Sequence, residues 1–267
     1  MKTAIIIVNW NGRELTQQCL VGLSLWEPNV PIYLVDNGST DGSVDHLIRL
    51  FPSVILIRSS TNLGFGGGNN LGIEKALEDG YDAVFLLNND TIIDEPFLEI
   101  IESQCKDPSL GIIGPVVVDG YDPEATQCRG GAVSLNFSSF PYLGQGEVFA
   151  KSNMVSEVGY VLGAAMLIKK EVIENIGMFD QEFFPAYVEE ADLCYRAKLS
   201  GFRSYISHSV RIRHIGGQSS GGSDSEFRRM MKNRFLFAVK HASAFQFVLS
   251  SFVICTRVLI KKIGIRK

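Results

Sequence analysis

The chain has 267 residues, 46% of them hydrophobic, and a formal net charge of −4. This length can bury a full core in one large domain, and the charge argues against a nucleic-acid-binding protein. The five cysteines are scattered without a C-x-x-C pair, which argues against a disulfide or zinc framework and for a reducing compartment. Neither a signal peptide nor an uninterrupted apolar stretch of about 18 residues is evident, so we expect a cytoplasmic protein.

Apolar runs alternate with helix-like segments along the first third of the chain. The runs with the composition of buried strands are Ala4–Val8, Ile32–Val35, Val54–Ile57 and Ala83–Leu87. The segments between them that suit helices are Arg13–Leu25, Ser43–Phe51 and Gly68–Glu78. This alternation predicts βαβ units and an α/β fold with a parallel sheet, and right-handed crossovers then bring the carboxyl ends of the strands to one edge.

Polar residues follow three of these strands, at Asn9-Trp10-Asn11, Asp36-Asn37-Gly38-Ser39 and Asn88-Asn89-Asp90. Strand ends that all become polar at one edge predict a crevice of nucleotide size. Asp36 comes directly off a buried strand, where its carboxylate can accept a hydrogen bond from a base or a ribose. We expect Asp90 to hold a divalent metal against the diphosphate of an activated sugar. The alternative is that these segments are only turns, since Asn and Asp favour turns.

The stretch Asn62–Gly72 is the richest in glycine. Its spacing fails the G-x-G-x-x-G fingerprint, and the absence of any Gly-Lys pair excludes a P-loop. Glycines allow a ligand to approach the backbone closely, and the following helix N-terminus favours phosphate. A flexible loop leading into a helix explains the same residues equally well.

The second half of the chain has strand-like segments around an irregular one. The segments predicted as strands are Ile112–Val118, Tyr160–Lys169, Ser204–Ile206 and Val210–Ile212. Gly120–Ala150 has no helical period, and we expect it to be a loop with short strands that covers a site. His214 ends the last strand and opens a glycine-serine loop that could close over a bound ligand.

Acidic residues alternate with aromatic ones from Phe179 to Arg196. A helix is predicted to begin near Glu189, where acids in the first turn suit the helix dipole. Apolar neighbours also raise the pKa of a carboxyl group toward the range of a general base. Glu189, Glu190 and Asp192 are therefore either catalytic or capping residues.

The tail from Glu226 has helical composition and an excess of basic residues. It contains one acid, Glu226, and ten basic residues: Arg228, Arg229, Lys232, Arg234, Lys240, Arg257, Lys261, Lys262, Arg266 and Lys267. Phe245–Ile260 is apolar, but its polar interruptions make it too short and too polar for a predicted spanning helix. Either a basic amphipathic helix lies on an anionic membrane surface, or two helices pack on the domain with their basic faces in water.

Several motifs, taken in order, resemble a known family. They are IIIVNWNG (Ile5–Gly12), VDNGSTDGS (Val35–Ser43), NLGFGGGNNLG (Asn62–Gly72), FLLNNDT (Phe85–Thr91), GMFDQEFFPAYVEEADLCYR (within Gly163–Arg196) and HIGGQS (His214–Ser219). The chain resembles family 2 inverting glycosyltransferases, near the bacterial rhamnosyltransferase-like branch. The resemblance implies a GT-A fold, with a Rossmann-like, mostly parallel central sheet flanked by helices and a C-terminal helical tail.

The resemblance also implies a role for each matching position. Asp36 would bind the nucleotide base. The strand-end motif, usually D-x-D, would coordinate Mg²⁺ or Mn²⁺; here it is Asn88-Asn89-Asp90, so only Asp90 keeps its carboxylate, and His214 is the candidate second ligand. The base would be the second acid of a Glu-Asp pair, here Glu190, whose longer side chain keeps Asp192 open as the alternative. The residues expected to contact the nucleotide are Val8, Asn9, Asn11, Asp36, Asn62, Gly66, Asn69, Asn88 and Asn89.

We therefore expect a GT-A domain over 1–225, with a nucleotide-binding half (1–119) and an acceptor or catalytic half (120–225), and a basic tail over 226–267. The predicted reaction moves a sugar, with dTDP-rhamnose as the expected donor, to a surface polysaccharide or a lipid-linked oligosaccharide. The tail would contact the inner face of the cell membrane. A UDP-sugar donor and a catalytically impaired nucleotide-sugar-binding protein remain alternatives. A nucleotidyltransferase would need a basic loop after the first strand, where Asn9–Leu15 carries only Arg13.

Overall fold

One mixed sheet runs through the protein, whose computed structural model describes residues 1–216 and 223–263, and side chains within 1–216 and 224–261. The strands are β1 (Thr3–Asn9), β2 (Ile32–Asn37), β3 (Ile55–Ser59), β4 (Ala83–Asn88), β5 (Thr91–Ile92), β6 (Leu110–Asp119), β7 (Thr126–Cys128), β8 (Val155–Val158), β9 (Ala165–Lys169) and β10 (Arg203–His214). Their order is β3-β2-β1-β4-β9-β6-β10-β5, with β7 paired to β6 and β8 to β10.

Helices cover both faces of this sheet. They are α1 (Arg13–Trp26), α2 (Ser43–Leu50), α3 (Gly64–Glu78), α4 (Leu98–Gln104), α5 (Lys170–Ile176), α6 (Glu189–Leu199), α7 (Ser223–His241) and α8 (Ala244–Ile263), with a 3₁₀ turn at Gln181–Phe183. Alternate residues of β1 enter opposite cores: Ile5 and Ile7 pack with α1, α2 and α4, whereas Ala4 and Ile6 pack with α3 and α6. A sheet that is buried on both faces explains why its first strands are continuous apolar runs.

The α/β fold predicted for the first half is confirmed, because β1 pairs in parallel with both β2 and β4. The register places Asn9 opposite Asp36, and Val8 opposite Asn88. The polar residues that follow these strands therefore share one edge of the sheet, as the sequence predicts.

Two predictions for the second half are wrong. The strand predicted over Tyr160–Lys169 begins only at Ala165. The two short strands predicted around Ser204 and Val210 are one strand, β10, whose register against β6 shifts between Ser207 and Arg211. A bulge of this kind lets one strand continue through a polar interval, so the sequence pattern looks like two separate strands.

The glycine-rich stretch is the beginning of α3, so the flexible-loop alternative for it is wrong. A Cβ added to Gly68 would lie 2.8 Å from Val8 Cγ1, and one added to Gly72 would lie 2.4 Å from Ile6 Cγ2. These glycines let α3 lie directly on β1. Tertiary packing here overrides the poor helix propensity of glycine.

The tail forms the helices α7 and α8, in agreement with its predicted helical composition. Phe237 of α7 is fully buried and contacts Phe140 and Tyr195 of the domain, so α7 packs on the domain. The boundary predicted between residues 225 and 226 falls within the first turn of α7. In α8, Ala244–Lys261 is long and apolar enough, by length and composition, to cross a membrane. The sequence analysis predicts instead that this region is too polar to span one.

Candidate active site

Asp90 and His214 meet at the carboxyl edge of the sheet. Antiparallel pairing of β5 with β10 sets His214 opposite Thr91, and the backbone N–H of Ile215 donates to the Asp90 carbonyl at 3.0 Å. Nε2 of His214 then lies 3.2 Å from Oδ1 of Asp90. Burial acts to raise the pKa of Asp90, but His214 and the backbone N–H groups of Asp90 and Gly216 together outweigh it and lower the pKa below its ordinary value.

The ring of His214 is oriented by two side chains. Its Nδ1 lies 2.7 Å from Oε1 of Gln127 in β7, and Nδ2 of Asn88 lies 3.3 Å from its Nε2. A glutamine carbonyl oxygen only accepts, so the proton of the neutral ring belongs on Nδ1. Nε2 then faces Asn88 and Asp90: a ring protonated on both nitrogens donates from Nε2 to Asp90, whereas the neutral ring offers its Nε2 lone pair to a cation. Orientation of a histidine through its second nitrogen is typical of metal ligands.

The Asp90–His214 pair fits a divalent cation. Oδ1 of Asp90 is buried and makes no hydrogen bond among the described residues, so one anionic oxygen is available to a ligand. Within the described part of the chain, no group of three or more His, Cys, Asp or Glu side chains could hold a metal ion. A hard cation at this pair would therefore need further oxygen atoms from a diphosphate or from water.

Asp36 lies at the end of β2 and is almost fully buried. Its Oδ1 accepts the backbone N–H of Ser39 at 2.9 Å, which is the turn role considered for this residue. Its Oδ2 lies 3.9 Å from the half-exposed guanidinium of Arg58. Since the turn uses only one oxygen, the other is left for a donor group of a ligand.

Asn9 and its neighbours form the framework of the crevice. Asn9 is fully buried: its Nδ2 donates to the hydroxyls of Ser39 (3.1 Å) and Ser43 (2.9 Å), and its Oδ1 accepts from Thr16 (2.8 Å). Asn89 Nδ2 donates to the same Thr16 hydroxyl at 2.9 Å. These amides join the ends of β1 and β4 to α1 and α2. Both polar side-chain atoms of Asn9 and Nδ2 of Asn89 are occupied within the chain, so these amides hold the crevice in shape.

The remaining predicted nucleotide contacts lie around this framework. Asn11 has a positive φ of 51°, and its Oδ1 accepts the backbone N–H of Thr40 at 2.8 Å. Asn62 Oδ1 accepts the N–H of Gly64 at 2.8 Å, and Asn69 donates to the Phe65 carbonyl at 3.0 Å. A Cβ on Gly66 would lie 3.1 Å from Cβ of Phe179. Close contact with the acidic segment before α6 (residues 179–188) therefore explains why a glycine occupies this position.

Glu189 and Glu190 begin α6, as predicted, and both carboxyl groups are unusually hard to ionise. Burial raises the pKa of Glu190 from 4.5 to about 7. Burial, and then the charge of Glu190, raise the pKa of Glu189 well above its ordinary value, and Glu189 Oε2 makes no hydrogen bond among the described residues. A carboxyl group that titrates near neutrality suits a general base.

The backbone before these acids is strained. Tyr187 and Val188 are successive non-glycine residues with φ of 83° and 79°. Left-handed backbone costs about 1 kcal/mol or more at each such position, so the surrounding structure must hold it. Strain of this kind is typical of sites where a side chain must be presented in a fixed place.

Asp192 is occupied by an ion-pair network instead. Its Oδ2 lies 2.7 Å from Nε of Arg196, and its Oδ1 lies 2.7 Å from Nε2 of His241 in α7. Asp192 is 1% exposed. With both oxygens engaged and no access to solvent, Asp192 joins α6 to the tail, and the geometry favours Glu190 over Asp192 as the base.

Strand β7 contacts the Asp90–His214 pair through Gln127, whose side chain meets His214. The charge of Glu190 acts on the next residue, Cys128. Burial first, and the charge of Glu190 in addition, raise the pKa of Cys128 to about 12 and also raise the pKa values of Tyr142 and Tyr160. Tyr142 belongs to the segment predicted to cover a site, and the charge of Glu190 acts on its hydroxyl group. The loop predicted to close after His214 falls on 217–222, outside the described residues.

A family model connects this geometry to known proteins. The model for glycosyl transferase family 2 matches residues 4–176, about two thirds of the chain. The chain belongs to this family. Membership agrees with the predicted resemblance and weighs against a nucleotidyltransferase.

Two relatives of this glycosyltransferase are rhamnosyltransferases. An N-acetylglucosaminyl-diphospho-decaprenol L-rhamnosyltransferase of Mycobacterium tuberculosis is 26% identical over 237 residues, which cover 81% of the chain and 77% of the relative. The dTDP-rhamnosyl transferase RfbF of Shigella flexneri is 25% identical over 219 residues, which cover 80% of the chain and 69% of the relative.

The crystal structure of GalNAc-T7 with UDP, GalNAc and Mn²⁺ has the same fold. Its TM-score is 0.69 at 15% identity, with 92% of our chain covered. The match covers 49% of the GalNAc-T7 chain, so our chain spans about half the length of that neighbour. The predicted GT-A fold is confirmed.

The sequence reading missed three polar residues of this glycosyltransferase. Gln127 orients His214, Asn70 bonds both backbone groups of Phe179, and Asn233 donates to carbonyls of the acidic segment. Each is a single amide without a local motif. A search for polar residues in otherwise buried positions could have marked Asn70 and Asn233, but nothing in the sequence indicates their partners.

Proposed function

We propose that the protein is a metal-dependent inverting glycosyltransferase that uses a nucleotide-diphosphate sugar. The observation that carries this proposal is the buried carboxylate of Asp90, whose Oδ1 faces Nε2 of His214 at 3.2 Å at the carboxyl edge of the sheet. Family 2 membership supports sugar transfer. The GalNAc-T7 structure has the same fold and was solved with UDP and Mn²⁺, which motivates a nucleotide and a divalent metal as ligands.

Asp90 and His214 would hold Mg²⁺ or Mn²⁺, with Gln127 and Asn88 fixing the imidazole. A divalent cation supplies positive charge that stabilises a departing diphosphate. A single protein carboxylate makes metal binding depend on the donor, because the diphosphate oxygens must complete the coordination. Asp36 would accept from the nucleotide base, while Asn9 and Asn89 keep the strand ends in place.

Glu190 would act as the general base. Its carboxylate takes the proton of an acceptor hydroxyl while that oxygen forms a bond to the anomeric carbon. The bond from this carbon to the diphosphate breaks on the opposite side, so the configuration inverts. A pKa of about 7 leaves about half of the Glu190 side chains ionised at neutral pH while making the carboxylate a stronger base than that of an ordinary glutamate.

Rhamnose from dTDP-rhamnose is the donor sugar that we propose, because RfbF is a dTDP-rhamnosyl transferase and the mycobacterial relative is an L-rhamnosyltransferase. The acceptor would be a lipid-linked or surface glycan, since the mycobacterial enzyme acts on a diphospho-decaprenol-linked sugar. A UDP-sugar is the second candidate donor. The presence of Asn88 and Glu190 where the family pattern has aspartate also motivates an impaired, binding-only protein.

We also propose that α8 attaches the protein to the inner face of the membrane. Its exposed apolar residues recur at helical spacing: Phe245, Val248, Phe252 and Leu259. The segment Ala244–Lys261 is only 11% buried. Lys261 of α8 is paired with Asp224 at 2.9 Å, so this basic group is engaged within the chain, and the apolar stripe would make the contact with lipid.

A donor panel tests the enzymatic proposal. Thermal shift with dTDP-rhamnose, UDP-GlcNAc, UDP-glucose and GDP-mannose, each with and without Mn²⁺, should show stabilisation that depends on both donor and metal. Transfer to a lipid-linked acceptor should occur with the donor that stabilises most, and nuclear magnetic resonance of the first product should show the opposite anomer. Donor binding without transfer would support the binding-only protein, and retention of configuration would contradict inversion.

Sedimentation with phosphatidylethanolamine–phosphatidylglycerol vesicles tests the membrane proposal. The full chain should sediment, whereas Phe245→Ser/Val248→Ser/Phe252→Ser should remain in solution. The control Val21→Ser/Leu25→Ser/Leu199→Ser removes equally exposed apolar side chains elsewhere and should sediment normally. Equal sedimentation of all chains would contradict the role of α8, and resistance to alkaline carbonate would indicate a spanning helix instead of a surface one.

A further inference from the structure

The acidic segment before α6 is held between two helices. On one side is α3, where Asn70 Nδ2 donates to the Phe179 carbonyl at 2.8 Å and Asn70 Oδ1 accepts the Phe179 N–H at 3.0 Å. Further along, the N–H of Phe65 donates to the Pro185 carbonyl at 2.8 Å. A Cβ on Gly64 would lie 2.5 Å from that same oxygen, so the helix touches the segment directly.

On the other side is α7, where one residue makes most of the polar contact. Asn233 is fully buried, and its Nδ2 lies within hydrogen-bond distance of three carbonyl oxygens: Phe183 (2.6 Å), Ala186 (3.0 Å) and Tyr187 (2.9 Å). The carbonyls of Ala186 and Tyr187 immediately precede or belong to the pair with positive φ, Tyr187 and Val188, and that of Phe183 lies earlier in the same segment. One side-chain amide group thus provides hydrogen-bond donors for the backbone carbonyl oxygens in the strained part of the segment.

This amide has a cost that packing does not explain. Oδ1 of Asn233 is buried and makes no hydrogen bond among the described residues. Burying an unpaired amide oxygen is unfavourable, and an apolar side chain would avoid that cost. The arrangement is favourable only because the other end of the amide satisfies carbonyls that would otherwise be buried without a donor.

The contacts of α7 continue on the far side of Glu190. His241 Nε2 contacts Asp192 Oδ1 at 2.7 Å, and Lys240 contacts Asp180 at 2.8 Å. The tail helix therefore holds the chain both before and after the proposed base. Such contacts come from a part of the chain outside the family match at residues 4–176.

We propose that Asn233 is a positioning residue for Glu190, holding the 183–188 backbone so that α6 begins with its acids in a fixed and shielded place. This inference rests on the proposed function for the role of Glu190, but not for the contact itself. Loss of the Asn233 amide should loosen the strained backbone, admit water to Glu190 and misplace its carboxylate. The nucleotide site at the strand edge should be unaffected.

Asn233→Ala tests this in the full chain, with Val239→Ala, an exposed position of the same helix, as the matched control. We expect kcat to fall about 10- to 100-fold, as small misplacements of reacting groups can cost. Stabilisation by dTDP with Mn²⁺ should stay unchanged. The pKa of Glu190, followed by ¹³C resonance of its labelled carboxyl group, should move from near 7 toward its ordinary value, and amides 187–190 should exchange faster with deuterium.

The outcomes separate this inference from the proposed function. A wild-type chain that transfers no sugar removes the proposed function, while the Glu190 pKa and the amide exchange still decide the role of Asn233. An unchanged Glu190 pKa and unchanged kcat in a folded Asn233→Ala chain overturn the inference. If that variant does not fold, Glu226→Ala takes its place. It removes the acceptor of the Tyr187 hydroxyl at 3.0 Å and should give a smaller shift in the same direction, whereas no shift overturns the inference.

Discussion

The two parts of the site are held in different ways. The strand-edge part, with Asn9, Asp36 and Asp90, lies at the ends of parallel strands that are adjacent in the sheet. Short polar contacts of these strand ends hold it in place. The acidic part, with Glu189 and Glu190, lies on irregular, strained backbone and is held by α3 and by α7.

The two parts also shift the pKa values of their carboxyl groups in opposite directions. At the strand edge, His214 and two backbone N–H groups together favour the ionised form of Asp90 despite burial. In the acidic part, burial prevails and the pKa values of Glu189 and Glu190 rise. A carboxylate that remains charged suits a metal or a donor, whereas one that titrates near neutral pH suits proton transfer. We infer that one part binds and the other reacts, and the following substitutions test that division.

Glu190→Gln should have the largest effect. Removing the base while keeping the size of the side chain should lower kcat by about 10²- to 10⁴-fold and leave donor affinity unchanged. Steady-state kinetics and calorimetric donor titration measure the two quantities. Asp192→Asn, the comparison variant, should mainly lower the melting temperature, because it disturbs the pairs with Arg196 and His241.

Normal turnover by Glu190→Gln, with loss of turnover in a folded Asp192→Asn chain, would transfer the role of base to Asp192. Loss of donor affinity in Glu190→Gln would instead contradict the inference that the strand-edge part binds the donor and the acidic part carries out the reaction.

Asp90→Asn should change donor binding, which Glu190→Gln is expected to leave unchanged. Losing the one carboxylate of the proposed metal pair should weaken Mn²⁺-dependent donor binding by at least about 10-fold, as even loss of an outer-shell partner can do. Asp94→Asn is the control, since it removes a nearby carboxylate that pairs with Arg213 at 3.7 Å. Metal-dependent donor binding that survives in Asp90→Asn would place the metal elsewhere.

Gln127→Ala should produce a smaller effect of the same kind. Without the 2.7 Å contact to Nδ1, the imidazole of His214 can turn and change tautomer, so the apparent Mn²⁺ affinity should fall about 10-fold while kcat at saturating metal changes little. Isothermal titration with Mn²⁺ in the presence of dTDP measures this. An equal loss in Gln127→Ala and Asp90→Asn would mean that His214 contributes as much as the carboxylate.

The strand-edge part could be predicted from the sequence because its signals are local. Buried strands are continuous apolar runs, and their polar ends meet by the rules of parallel topology, so the neighbourhood of Asn9, Asp36 and Asn88 followed directly. The acids of α6 were also visible, since helix start signals and an acidic cluster coincide at Glu189.

The rest depended on contacts between distant residues. His214 reaches Asp90 through a strand with an internal bulge, which reads as two short strands. The glycines of α3 have poor helix propensity and form a helix only because they pack closely on β1. Asn233 is a single amide in a tail that looked like a separate basic helix, and its partners lie about 46 to 50 residues away.

The pH dependence of kcat at saturating donor and Mn²⁺ tests the central claim most directly. Glu190 must be ionised to accept a proton, so activity should be full above its pKa and should fall as pH decreases, with a midpoint near 7. Below that midpoint kcat should drop about tenfold per pH unit, and the residual activity of Glu190→Gln should lack this limb. A wild-type profile that stays flat down to pH 5, or an acid limb that persists in Glu190→Gln, would contradict the account.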